Sequence, residues 1–291
     1  MCAAPELGKH FHYLSLENAE ETLAIENVSK AIATVRGLSI PDMDRWARAI
    51  TANSRDAVMA ILVCLMPNIE VIDMDPDVGH DRCPLHMYLE PILSAAKETP
   101  YSSVYSHSRL SQVRIRMCSI HSHKTSALFR LQALLSLELF GTNADSWEER
   151  NEKSRKACEE SEGIYRKWGC SPRSSKLKCF AIHGVFFSVV VEVMLGSIAS
   201  LERFTCWTNF DFDIEPNWLR QVGTALLQHQ SSMKELDLTD MCHKYDTDDR
   251  FWVNPSPLCG GLSMLRSVSS LVSYEGHLLP FLSSKQLDGN E

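Results

Sequence analysis

The feature that most constrains this chain is a six-residue pattern, apolar-x-x-apolar-x-apolar, that recurs along its length. Its last two apolar residues alternate with polar ones, as a strand with one buried face requires. Nine copies can be read: Phe11/Leu14/Leu16, Val35/Leu38/Ile40, Ile69/Ile72/Met74, Leu110/Val113/Ile115, Leu134/Leu137/Leu139, Leu177/Phe180/Ile182, Leu201/Phe204/Cys206, Met233/Leu236/Leu238 and Val268/Leu271/Ser273. Three successive pairs, at Phe11 and Val35, Leu110 and Leu134, and Leu177 and Leu201, start 24 residues apart. The other intervals run from 32 to 43 residues and demand insertions. A short fixed interval points to one supersecondary unit copied and stacked, because a unit of that size cannot bury its apolar face alone.

Helical stretches fall between the strands. From Arg55 to Met66, residues Val58, Ile61, Leu62, Leu65 and Met66 share one helix face; Ser54 can cap its start and Pro67 stops it. A second helix is expected over Leu85 to Lys97, bent by Pro91, and a third over Asn217 to Gln228, with Trp218, Leu219, Val222, Ala225 and Leu226 on its apolar side. Such alternation also suits a doubly wound sheet. Its central strands, however, would be continuous apolar runs, whereas these keep polar residues at Ser136, Glu138, Glu235 and Asp237. The expectation is therefore an α/β solenoid of short parallel strands backed by helices.

One domain is expected over residues 1–280, with residues 281–291 a disordered tail. Two stretches interrupt the pattern. Asp145 to Lys178 holds the run Glu148-Glu149-Arg150-Asn151-Glu152-Lys153 and reads as a solvated insertion, loop or exposed helix; Met241 to Gly261 reads as a long loop. Phe180 to Ala199 is apolar enough to invite a membrane reading, but His183 and Glu192 interrupt it. A carboxylate near mid-bilayer costs roughly 2.5–3.5 kcal/mol, so a buried strand followed by a buried helix is the better account.

Composition narrows the function. Apolar residues make up 44% of 291, enough for a full core, and Lys plus Arg total 29 against 37 for Asp plus Glu. A net charge of −8 argues against a nucleic-acid binder, which needs a concentrated basic surface. The ten cysteines are scattered with no Cys-x-x-Cys pair, as expected of reduced thiols. Residues 1–12 lack a secretory signal, so a cytoplasmic or nuclear protein away from membranes is expected.

The stretch from Asp56 to Met74, with its helix, the Leu65-Met66-Pro67-Asn68-Ile69 turn and the strand after it, resembles fungal F-box/leucine-rich-repeat-like proteins. Ser197 to Phe204 and Gln230 to Leu238 resemble them in the same way. The resemblance implies an irregular leucine-rich-repeat-like solenoid that binds another protein. The F-box, which docks a ubiquitin-ligase scaffold, has no counterpart, since Phe11 to Leu16 already reads as a repeat strand. The asparagine that ordinarily closes each repeat occurs once, as Asn209. A fungal origin also implies an alternative role, an accessory or regulatory protein of a biosynthetic pathway.

Chemical motifs are sparse. Asp73, Asp75, Asp77 and Asp81 place four carboxylates within nine residues, which allows an alternative reading as a metal-dependent enzyme. As a calcium loop it fails, because Gly79 falls at the seventh position and Pro84 stands where a bidentate glutamate is needed. Cys118, His121 and His123 are too close in sequence to close a tetrahedral zinc site alone and read as a loop with one buried cysteine. Asp211, Asp213 and Glu215 read as a solvated loop. No Gly-x-Ser-x-Gly, Gly-x-Gly or His-Glu-x-x-His occurs, so no catalytic residue, metal or cofactor is expected.

If the fourth and sixth residues of each motif point inward, the third, fifth and seventh face out. That face would present Asp73, Arg114, Arg116, Glu138, Arg203, Glu235 and Asp237, together with Gln112 and Thr205. Its mixed charge suits a protein partner better than a phosphate backbone.

Overall fold

The alternation read from the sequence becomes strands β1 (Tyr13–Leu16), β2 (Val71–Met74), β3 (Gln112–Arg116), β4 (Ser136–Phe140), β5 (Cys179–His183), β6 (Arg203–Thr208), β7 (Glu235–Asp240) and β8 (Ser270–Leu271). Helices α1 (Val28–Gly37), α2 (Met43–Thr51), α3 (Ser122–Leu128), α4 (Ser188–Ser197) and α5 (Trp218–Leu227) lie between them in sequence. The structure, a computed structural model, describes residues 12–16, 28–37, 43–52, 57, 61–63, 65–74, 107–116, 122–140, 168–184, 186, 188–208, 218–240 and 270–271. The described chain divides between Leu135 and Ser136 into two compact units.

Eight of the nine motif copies are strands. The exception is Val35, which lies in α1, so the second expected strand does not form there. Val28, Ile32 and Val35 stand at i, i+4 and i+7, and this helical period outcompetes the two-residue alternation. Leu38 and Ile40 lie outside the described residues, as do the expected helix over 85–97, the loop at 241–261 and the tail at 281–291.

In the first unit β1, β2 and β3 pair in parallel, with Leu14 opposite Ile72 and Ile72 opposite Val113. Ile72, Val113 and Ile115 are buried. α2 turns Trp46 and Ile50, one helical turn apart, inward, while Asp44 and Arg48 stay outside near the helix ends whose dipoles they complement. Helical residues 61–63 and 65 end at Met66, just before Pro67, as the sequence anticipates.

In the second unit the inward positions align into two rows across parallel strands. Leu137, Phe180, Phe204 and Leu236 form one and Leu139, Ile182, Cys206 and Leu238 the other, all buried. Phe180 and Phe204 meet as tilted rings with centroids 5.9 Å apart. Burial pushes the Cys206 thiol well above its usual range, Asp237 adding to the shift, so this cysteine acts as a small core residue. α4 is buried along most of its surface, with Glu192 exposed, and the Ser188 hydroxyl donates to the Gln221 side-chain carbonyl on α5. No described helix is long and apolar enough to cross a membrane.

Backbone donors entering four of the strands follow a repeated plan. The N–H of the first motif residue bonds a carbonyl three or four residues back: Ile69 to Met66, Leu110 to His107, Leu134 to Leu131 and Met233 to His229. Leu201 departs from it. Its N–H donates to His229 Nδ1 at 3.4 Å, and His229 Nε2 donates to the Leu195 carbonyl at 3.1 Å, a network that assigns the neutral tautomer with the proton on Nε2. Burial lowers the His229 pKa from its ordinary value, consistent with a neutral ring. His229→Ala would strand a buried donor and a buried carbonyl, and a loss of about 1–3 kcal/mol is expected in urea unfolding at pH 7. An unchanged midpoint would mean the ring does not pin α4 to β6.

The charged insertion is not solvated throughout. Trp168 Nε1 donates to Ser197 Oγ at 2.7 Å, and the N–H groups of Arg173 and Ser175 donate to the carbonyls of Gly196 and Ser197, both at 2.9 Å. Cys170, Ser175 and Leu177 are buried. Residues 168–178 thus supply partners for carbonyls that end α4, groups that would otherwise lack intrahelical donors. Residues 145–167 lie outside the described set.

Candidate functional site

In-register parallel strands place equivalent motif positions side by side, about 4.8 Å apart. A residue type repeated at one position therefore becomes a stripe. On the second unit the seventh position holds Phe140, His183 and Trp207, each six residues after the leucine that opens its motif. Phe140 and His183 stack with centroids 4.5 Å apart and planes 11° from parallel. His183 meets Trp207 edge to face at 5.0 Å and 89°. The row ends in an open ring, since Trp207 is 42% exposed.

Acidic groups flank this row. His183 Nε2 lies 2.8 Å from Glu138 Oε1, an ion-pair distance without the alignment of a hydrogen bond. The Trp207 indole N–H donates to Asp237 Oδ2 at 3.0 Å and fixes the ring's orientation. Asp237, expected among the exposed residues, is only 9% exposed because the indole on the neighbouring strand covers it. Thr205 and Ala181 are half-buried between the two carboxylates.

The remaining expected site residues are partly engaged within the chain. Arg203 Nε pairs with Glu235 Oε2 at 2.6 Å across β6 and β7. In the first unit Arg114 Nη1 lies 3.7 Å from Asp73 Oδ1, and the Tyr13 hydroxyl donates to Asp73 Oδ2 at 3.3 Å. Arg116 closes β3. Just before the strands, Glu202 sits between Lys178 at 3.2 Å and Lys234 at 2.5 Å, and the hydrogen bonds from Lys234 and then Lys178 hold its carboxyl below the usual range. This ladder is exposed and salt-screened, so it sets register more than stability.

Asp73 is the only member of the acidic run with a described side chain; residues 75–81 lie outside the described set. So do Cys118, His121 and the carboxylates at 211–215, while Ser122 and His123 open α3 instead of continuing a loop. Among the described residues no group of three or more His, Cys, Asp or Glu side chains is placed to hold a metal ion.

The aromatic row escapes a reading that takes each strand for its charges. Counting six residues on from Leu134, Leu177 and Leu201 finds it in the sequence. Chemically, the arrangement is a rigid π surface beside two carboxylates, suited to holding a side chain in place. No family model, curated protein or solved structure matches this chain.

Proposed function

We propose that the chain is an irregular leucine-rich-repeat-type solenoid, akin to the repeat region of fungal F-box proteins, that binds another protein and performs no chemistry. Support for the solenoid comes from the 24-residue intervals, the parallel register and the repeated strand-entry hydrogen bonds. The observation that carries the binding role is the aromatic row Phe140, His183 and Trp207 on the outward side of β4–β6. Large apolar side chains at this position gain little for the fold from their exposed portion. Aromatic side chains are enriched where binding energy is concentrated.

The test is a pull-down from cells of the source organism. Trp207→Ser and the double variant Arg114→Glu/Arg203→Glu are compared with wild type after melting temperatures have been matched. Loss of at least one partner in either variant is expected. Recovery of every partner at wild-type yield in both would remove the outward strand face of each unit as an interface.

A further inference from the structure

We infer that the strand-entry edge of β5, β6 and β7 is a second docking surface, one that takes an acidic segment of a protein partner. It lies at the ends of the strands and makes no use of the aromatic row. Charge comes first. Residues 168–178, 198–203 and 229–235 lead into these strands and hold the cations Arg173, Lys176, Lys178, Arg203 and Lys234 against the carboxylates Glu202 and Glu235. Internal pairing leaves a surplus. Arg203 is matched by Glu235, but Lys178 and Lys234 share the single carboxylate of Glu202. The cations also stand further out, with the Lys234 side chain 70% exposed against 32% for Glu202. A positive edge is a local property of this chain, whose total charge is −8.

Two of these cations do little for the fold. Lys176 is exposed between the buried Ser175 and Leu177, so its side chain points outward, and among the described residues it pairs with no carboxylate. Arg173 holds φ of +55° in the turn after Pro172, a left-handed conformation that glycine or asparagine adopts more readily. Its guanidinium donates one hydrogen bond, to the Ala199 carbonyl at 3.3 Å, and again no described carboxylate pairs with it. The end of α4 is already served by backbone groups, since the N–H groups of Arg173 and Ser175 bond the carbonyls of Gly196 and Ser197.

Spacing then selects the occupant. Lys178 and Lys234 approach Glu202 from the strands on either side, two strand spacings or about 10 Å apart. Cations so separated do not converge on one compact phosphate. Carboxylates on alternate residues of an extended chain fall about 7 Å apart and can meet several of them in turn. A long polyanion such as nucleic acid would meet the repulsive field of the whole chain.

The test titrates the full-length protein at low salt with a fluorescent, blocked Gly-Glu-Gly-Glu-Gly-Glu-Gly peptide, with its glutamine counterpart, and with a counterpart carrying one phosphoserine and no glutamate. The glutamate peptide should bind at least about fivefold more tightly than the glutamine peptide and lose that margin as salt rises. Lys176→Gln should weaken it about two- to fivefold at an unchanged melting temperature. Arg173→Gly should weaken it as much while leaving the melting temperature unchanged or raised, because glycine adopts positive φ freely; an arginine with only a structural role would not separate the two readouts. The inference is overturned by equal binding of the glutamate and glutamine peptides, or by wild-type affinity in the double variant Arg173→Gly/Lys176→Gln. Tighter binding of the phosphoserine peptide than of the glutamate peptide overturns it as well. The pull-down with Trp207→Ser reads the outward face, so the two surfaces fail separately.

Discussion

Leu137→Asp is expected to abolish cooperative folding of the second unit. Leu137 is fully buried in β4, with Phe180 opposite it on β5. Removing the leucine forfeits about 1.5–3 kcal/mol of apolar burial. The carboxylate that replaces it has no partner among the apolar residues of its row and costs several kcal/mol more. Against a typical total of about 5–15 kcal/mol, the two together leave little or no folded state. Leu135→Asp is the control two residues away. Leu135 is 47% exposed, so that change should stay within about 0.5 kcal/mol. Near-ultraviolet circular dichroism during urea unfolding distinguishes the pair. A Leu137→Asp protein that unfolds like wild type would reverse the inner and outer faces of β4, since a one-residue slip exchanges them all.

The same period-two logic explains what the sequence disclosed. Leu137/Leu139, Phe180/Ile182 and Leu236/Leu238 could be read as strands because the intervening residues are polar or small and a parallel stack buries only one side. Ile72, Val113, Leu137, Phe180, Leu201 and Leu236 all face the core as expected. Val35 misleads because three apolar residues at i, i+3 and i+5 also fit part of a helix, and Val28 and Ile32 complete the helical period. Deciding between the two needs the residues upstream of the motif.

Three features depend on neighbours distant in sequence. Asp237 is polar and sits at an outward position, yet it is nearly buried because Trp207, 30 residues earlier, lies over it. Ser175 belongs to a charged insertion by sequence, but the end of α4 needs donors and its N–H is drawn in to serve the Ser197 carbonyl. The aromatic row itself becomes visible only when motifs are aligned with one another. A stripe is a property of register between repeats, which no single strand contains.

Register also explains the second large effect, a loss of stability in mild acid traced to His107. Three residues before the leucine or isoleucine that opens a motif, the chain makes a tight turn, and the residue there is buried: Met66, Leu131 and His107 occupy this place before Ile69, Leu134 and Leu110. A histidine thus stands where other repeats put an apolar side chain. Burial lowers its pKa from 6.5 to about 4. Above pH 6.5 the ring is neutral folded or unfolded and contributes nothing to the pH dependence. As pH falls below 6.5 the unfolded chain takes up a proton that the native ring refuses until about pH 4, so stability drops across that window and levels off below it. The full drop is about 3 kcal/mol, because each tenfold difference in proton affinity between the folded and unfolded chain is worth about 1.4 kcal/mol. Other groups titrate in the same range, so the measurement is a difference against a variant lacking only this ring. His107 has φ of +34°, which disfavours a branched or bulky replacement and makes His107→Asn the suitable choice, because asparagine tolerates positive φ. Urea unfolding of both proteins from pH 7.5 to 4 should show wild type losing about 3 kcal/mol more than His107→Asn. Parallel pH profiles for the two would mean that the ring is hydrated in the folded chain and is not the apolar substitute its place in the repeat implies.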